Sequence, residues 1–172
     1  MGECRYVAEV KTSNEGGSGT DDDVLLSIAS YTKVLDGNGK EKWSNEVKLA
    51  DWNLDTDNDD FETGAVNKFY REDIYFANID RISLEIVPNG TNVTPSSAWK
   101  VEYVKIIRTY AGESTSFIFP INTWMGIEER DPSQNDLKAI VIADKTGVIC
   151  HYKKVMTDDL NLNMKTAFEN CK

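Results

Sequence analysis

One histidine, three cysteines and four prolines are all that this chain of 172 residues has of those types, and positive charge is short as well, with 19 Lys and Arg against 29 Asp and Glu. Each shortage excludes something. Zinc and copper sites are built from several His or Cys ligands, and the lone imidazole, His151, cannot supply them. Cys150 adjoins it, but neighbours in a strand point to opposite faces, so the two do not form a nucleophile and base. No GxSxG, Walker, HExxH or Rossmann pattern occurs, and a non-catalytic protein is expected. Cys4, Cys150 and Cys171 are too few for a disulfide scaffold and cannot all pair within one chain; a Cys150 to Cys171 bridge is one open pairing. The longest apolar runs, "IYFANI" and "AIVIA", fall well below the roughly 20 residues of a spanning helix. A soluble chain with no apolar leader ahead of the first strand is expected, with peripheral membrane association or secretion both open. The net charge of -10 is concentrated: residues 1 to 125 hold 12 Lys and Arg against 21 Asp and Glu, the remainder 7 against 8. Such a field opposes nucleic acid, whose affinity comes from cations neutralising phosphates, and opposes unaided docking to anionic lipid.

What is present is a recurrence of short alternating, β-branched and aromatic segments: "CRYVAEVKT", "DVLLSIASY", "EKWSNEVKLA", "NKFYREDIYF", "DRISLEIV", "WKVEYVKIIRTY" and "TSFIFP". Their separators are rich in Gly, Asn, Asp and Ser, which supply positive φ angles and side-chain turns. This spacing predicts an all-β, two-sheet antiparallel sandwich of about eight strands over residues 1 to 125. In "WKVEYVKIIRTY" the alternation of wet and dry positions holds only in part. Residues 126 to 172 read as an extension: a linker "GIEERDPSQND", a hairpin around "DKTG", and a short helix in "TDDLNLNMKTAFENC" with Thr157 or Asp158 as N-cap. "NGT" at Asn89 and "NVT" at Asn92 fit the N-glycosylation acceptor pattern.

The most unusual stretch is "DWNLDTDNDDFETG", residues 51 to 64, with six carboxylates and no basic residue. Converging carboxylates either raise their pKa values or capture a cation, and calcium accepts the hard oxygen ligands that such a loop offers. A solvated acidic surface held by backbone turns is the other reading.

The order of motifs resembles that of a PLAT, or lipoxygenase homology, domain. "RYVAEVKT" followed by "GTDDDVLLSI" looks like the family's "GTDA-V-I" opening, and "NDDFETGAVNKFY" like its "DFERG--D-F". "DIYFANIDRISLEI", "SSAWKVEYVKI" and "SFIFPINTWM" resemble its later strands, so that five motifs run in order over residues 4 to 125. The resemblance implies a PLAT-like sandwich whose two acidic loops meet at one end around calcium. Carried over position by position, it implies Thr20, Asp60, Asp55, Thr56 and Asn58 as ligands, with Gly19 and Asp21 beside them. A second family site would need acids where this chain has Gly17 and Ser97, and is expected to be degraded.

In the family such loops face membranes, so the resemblance also implies a lipid or membrane partner, with Trp52 and Leu54 as lipid-contact candidates; packing of Trp52 beneath its loop is equally open. Trp99 and Trp124 are expected to fill the core at strand ends. The function expected is a non-catalytic, calcium-assisted lipid-binding module. The alternatives are a protein-interaction module on the same scaffold or the targeting piece of a lipid-modifying enzyme.

Overall fold

Alternation in the sequence becomes strand in the structure. A computed structural model describes residues 4–16, 18–20, 23–56, 60–87, 99–125, 137–155 and 163–171. Their elements are β1 (Cys4–Thr12), β2 (Asp23–Leu35), β3 (Glu41–Asn53), β4 (Val66–Asp73), β5 (Arg81–Val87), β6 (Trp99–Tyr110), β7 (Glu113–Met125), β8 (Leu137–Asp144), β9 (Gly147–Val155) and α1 (Met164–Asn170). They form two antiparallel sheets, β4-β1-β6-β7 and β3-β2-β5-β8-β9. The sandwich is thus all-β and antiparallel as expected.

Between the sheets lies one principal core. In β1 the even positions Cys4, Tyr6, Ala8 and Val10 point inward while Arg5 stays in water, the period-two pattern of a half-buried strand. β5 and the "AIVIA" of β8 are buried on consecutive positions instead, because both of their faces are covered. Ala139, Val141 and Ala143 face the principal core, whereas Ile140 and Ile142 join Ala29 under Met164, Ala167 and Phe168 of α1. The hairpin expected after residue 125 is therefore built into the second sheet, with β8 pairing on β5 from Ile82–Ala143 to Ile86–Ala139.

Helix α1 is only seven residues long, too short to be stable alone. Three things hold it. Its apolar face packs on the sheet, Asn45 Nδ2 donates to the carbonyls of Phe168 and Cys171, and a disulfide joins Cys171 to Cys150 of β9 with Cα atoms 6.0 Å apart. The N-cap is Asn163, whose side chain accepts from the amide of Thr166, rather than the expected Thr157 or Asp158, which lie outside the described residues. Asn89, Asn92 and the linker at 126–136 lie outside them too.

Two bulges explain where alternation fails. In β6 the inward residues are Trp99 and Val101, then Val104 and Ile106; the phase slips by one at the register shift between Val101 and Tyr103. In β3 the inward residues are Leu49 and then Trp52, a spacing of three, across Asp51 at φ 53. The amide of Asp51 donates to Ser27 Oγ at 2.9 Å, which anchors the bulge to β2.

Candidate functional site

Both acidic loops leave the same end of the sandwich. β1 ends at Thr12, whose amide donates to the carbonyl of Ala65, and Gly64 donates back to Ser13 at 2.9 Å. The chain then turns through Ser18, whose hydroxyl and amide both donate to the carbonyl of Glu15 and whose carbonyl accepts from the amide of Lys100. This places Gly19 against the other loop so closely that a Cβ there would lie 2.8 Å from the carbonyl oxygen of Phe61 and 3.2 Å from the amide of Thr63. The next residue, Thr20, is buried and donates its amide to the Phe61 carbonyl at 3.1 Å. A small residue at position 19 is thus what lets the two backbones touch.

The second loop is shaped by Asp60. Its Oδ2 accepts from the amide of Thr56 at 2.7 Å, and its Oδ1 accepts from Thr56 Oγ1 at 2.6 Å and from Asn67 Nδ2 at 3.4 Å. Asn67 also takes the amide of Phe61 on its Oδ1 at 2.9 Å, holding that residue at φ 63 with its ring inside the core. An aspartate at position 67 could accept the Phe61 amide but could not donate to Asp60. Asn67 was not among the residues singled out above; the signal for it is its place in the "DFERG--D-F" pattern, where this chain has an amide in place of the acid. Beneath the loops Trp99 is fully buried against Phe61, with ring centroids 4.8 Å apart, and its indole donates to Thr12 Oγ1. Trp124 is only half-buried, with the Lys100 ammonium 5.9 Å from its ring.

Of the residues proposed as calcium ligands, Gly19 and Thr20 meet the Phe61 end of the second loop, Thr56 and Asp60 are bonded to each other, and Asp55 is exposed beside them. Asp21 and Asn58 lie outside the described residues. Among the described residues no three His, Cys, Asp or Glu side chains come together as a metal-binding group. The donors that do gather are oxygens, the type a hard cation takes, with no imidazole or thiolate among them. A carboxylate offers about four lone-pair directions, and Asp60 spends three of them on Thr56 and Asn67, which leaves room for one further contact.

The expected lipid contact at Trp52 and Leu54 is corrected by their burial. Trp52 is 6% and Leu54 2% exposed, both in the principal core, and the Leu54 amide donates to the Val24 carbonyl. The cause is the bulge at Asp51. Strict alternation from Leu49 would have put positions 51 and 53 inside and the tryptophan outside.

With this geometry in place the chain can be compared with known proteins. No family model matches it. The mouse (Mus musculus) protein named lipoxygenase homology domain-containing protein 1 is 27% identical over 157 residues, which is 91% of this chain and 6% of that protein. The fold of a coral 8R-lipoxygenase, described as activated by calcium through a C2-like domain, superposes with a TM-score of 0.51 at 18% identity, covering 81% of this chain and 16% of the enzyme. This chain is a PLAT-like β-sandwich. A lipoxygenase deletion variant superposes on the PLAT-like sandwich as well, with a TM-score of 0.52 at 16% identity over 83% of this chain and 16% of its own. The PLAT-like chain thus spans a small part of the length of the relatives it matches.

Proposed function

We propose that the chain is a non-catalytic, calcium-assisted lipid-binding module that brings itself, or a larger lipid-modifying protein, to a membrane. The observation that carries this reading is the hydrogen bond from the Thr20 amide to the Phe61 carbonyl, which joins the two acidic loops at one tip. Calcium, when bound there, supplies the positive charge needed to bridge the carboxylates to lipid phosphates. The chain's own residues set the terms. Thr56 and Asn67 orient Asp60 before any ligand arrives, Asp55 stands exposed to complete the donor set, and the glycine at 19 holds the first loop within reach. Affinity is expected in the weak range of extracellular calcium modules, about 10⁻⁴ to 10⁻³ M, because the second family position has lost its acids at Gly17 and Ser97.

Calorimetry with calcium, together with cosedimentation on phosphatidylserine vesicles with and without calcium, tests the proposal. Binding heat and a calcium-dependent pellet are expected, and Asp60→Asn should remove both. No heat and no thermal shift at millimolar calcium would remove the calcium role. A calcium-dependent interaction with a protein but not with vesicles would favour the protein-recruiting alternative.

A further inference from the structure

With Trp52 and Leu54 in the core, the large apolar side chains open to water include Leu35 at 71%, Ile74 at 67% and Trp43 at 53% exposed. These three lie toward the end of the sandwich away from the acidic loops, while Val66, 48% exposed, stands at the acidic end. There the segment 74–80, which connects β4 to β5, crosses from one sheet to the other. It is pinned by Tyr6, which donates its hydroxyl to the Ile74 carbonyl, by Arg108 on the carbonyls of Phe76 and Ala77, and by Ser30 Oγ on that of Asn78.

Aromatic rings and cations run along this end in sequence. Tyr75 lies 4.6 Å from Tyr110, and the Arg108 guanidinium sits over Tyr75 at 4.7 Å and over Phe117 at 5.2 Å. Phe117 then lines a groove of about 790 Å³ together with Ile79, Phe119, Trp43, Tyr31 and Lys145. Trp43 stacks on Tyr31 at 4.9 Å, and Arg81 covers the Tyr31 ring at 3.7 Å. The groove follows from topology. β2 pairs with β5 only as far as Ala29–Arg81 and runs on to Leu35, so the β2–β3 arm overhangs the start of β5 and faces the β8–β9 turn.

We propose that this pole is a second lipid contact, one that docks on zwitterionic phospholipid without any ion. Trp and Tyr favour the headgroup layer, aliphatic side chains at loop tips enter below it, and Arg and Lys stems reach back to phosphate. Arg108 suits that task because its hydrogen bonds go to neutral carbonyls and not to a carboxylate. Several acids at this pole are already engaged: Asp36 accepts the amides of Asn38 and Lys40, Asp80 that of Tyr31 and Asp144 that of Thr146, while Glu41 pairs with Lys33 and Asp73 with Arg71, and Glu113 beside Tyr110 stays exposed. Zwitterionic rather than anionic lipid is the match because the whole molecule carries -10, which an anionic surface would repel at long range. The groove, within the usual 300 to 1,000 Å³ of ligand sites, gives one acyl chain a place beside Trp43.

The test uses the full chain and phosphatidylcholine vesicles in excess EGTA. Binding is expected, weakening as phosphatidylserine is added, with Trp43 fluorescence quenched by brominated acyl chains. Leu35→Ser combined with Ile74→Ser should lower the partition coefficient about tenfold with an unchanged melting curve, since both side chains are exposed. Asp60→Asn should leave this ion-free binding intact while removing the calcium-dependent part, so the two lipid contacts fail separately. No binding to phosphatidylcholine in EGTA would overturn the proposal. So would full binding by the folded double variant, or a protein partner that engages this pole while vesicles do not.

Discussion

At the scale of single residues, Gly19 has a hydrogen where any other side chain would strike the Phe61 carbonyl. Gly19→Ala must part the two loops by several tenths of an ångström, and a loss of about 1 to 3 kcal/mol is expected in urea unfolding, together with weaker calcium binding. Tyr6 is a second such point. Its hydroxyl donates to the Ile74 carbonyl at 2.8 Å and accepts the Phe76 amide at 3.2 Å. Burial first, and the neighbouring Cys4 side chain second, push its ionisation above the ordinary tyrosine value. A raised folded pKa means that this stability is whole below the unfolded value of about 10 and is lost as pH climbs toward the folded one. Alkaline titration should therefore unfold the protein in a limb that Tyr6→Phe flattens, at a cost of about 1 to 3 kcal/mol near neutrality from the two orphaned backbone groups.

Asp36 runs the other way. Amides of Lys40 and Asn38 lower its pKa, so the β2–β3 turn should persist as pH falls past about 3.9 and loosen only at the depressed folded value. An NMR titration of Asp36 beside amide exchange at Asn38 checks this, and a midpoint at the ordinary value would refute it. Residue types told much at this scale. Gly19, Thr20 and Asp60 stood out in the sequence, and their loops do touch. Asn67 did not, because its role depends on offering a donor and an acceptor at once, which residue spacing does not display.

Among elements, the strands were readable wherever one face is wet, since alternation is then imposed by water. β5 and β8 were readable as strands but not as doubly covered ones: the apolar run of β8 carries no mark of what covers its second face, and the alternating Arg81, Ser83 and Glu85 of β5 read as a wet face although they are buried. The cover is α1, and its attachment is testable. Reducing the Cys150–Cys171 bond, or making Cys171→Ser, opens a cross-link over a separation of 21 residues and should cost about 3 kcal/mol in denaturant unfolding. Protection of α1 amides should fall first. The positions of the two bulges were not legible at all: each depends on a partner strand, Ser27 of β2 for the one at Asp51 and β7 for the one in β6. That is why the tryptophan at 52 could be placed on either side of its sheet from sequence.

For the whole molecule, both ends carry acids: Asp55, Asp60 and Glu62 at one tip, and Asp36, Asp80 and Asp144 at the other, where Arg81, Arg108 and Lys145 stand among the aromatic rings. On anionic vesicles in EGTA only the ion-free pole is expected to bind, and against the whole molecule's repulsion. Raising ionic strength screens the net repulsion of -10 and should increase the ion-free pellet, which cosedimentation at rising potassium chloride would record. The order of the second sheet has one more outcome. β5 lies between β2 and β8, so on the ribosome it is an unprotected sheet margin until Leu137–Asp144 has been made. Synthesis halted before that point would leave the unpaired edge of "RISLEI", with Ile82, Leu84 and Ile86 on its core face, open to other nascent chains. The finished hairpin closes that margin by pairing β8 along β5.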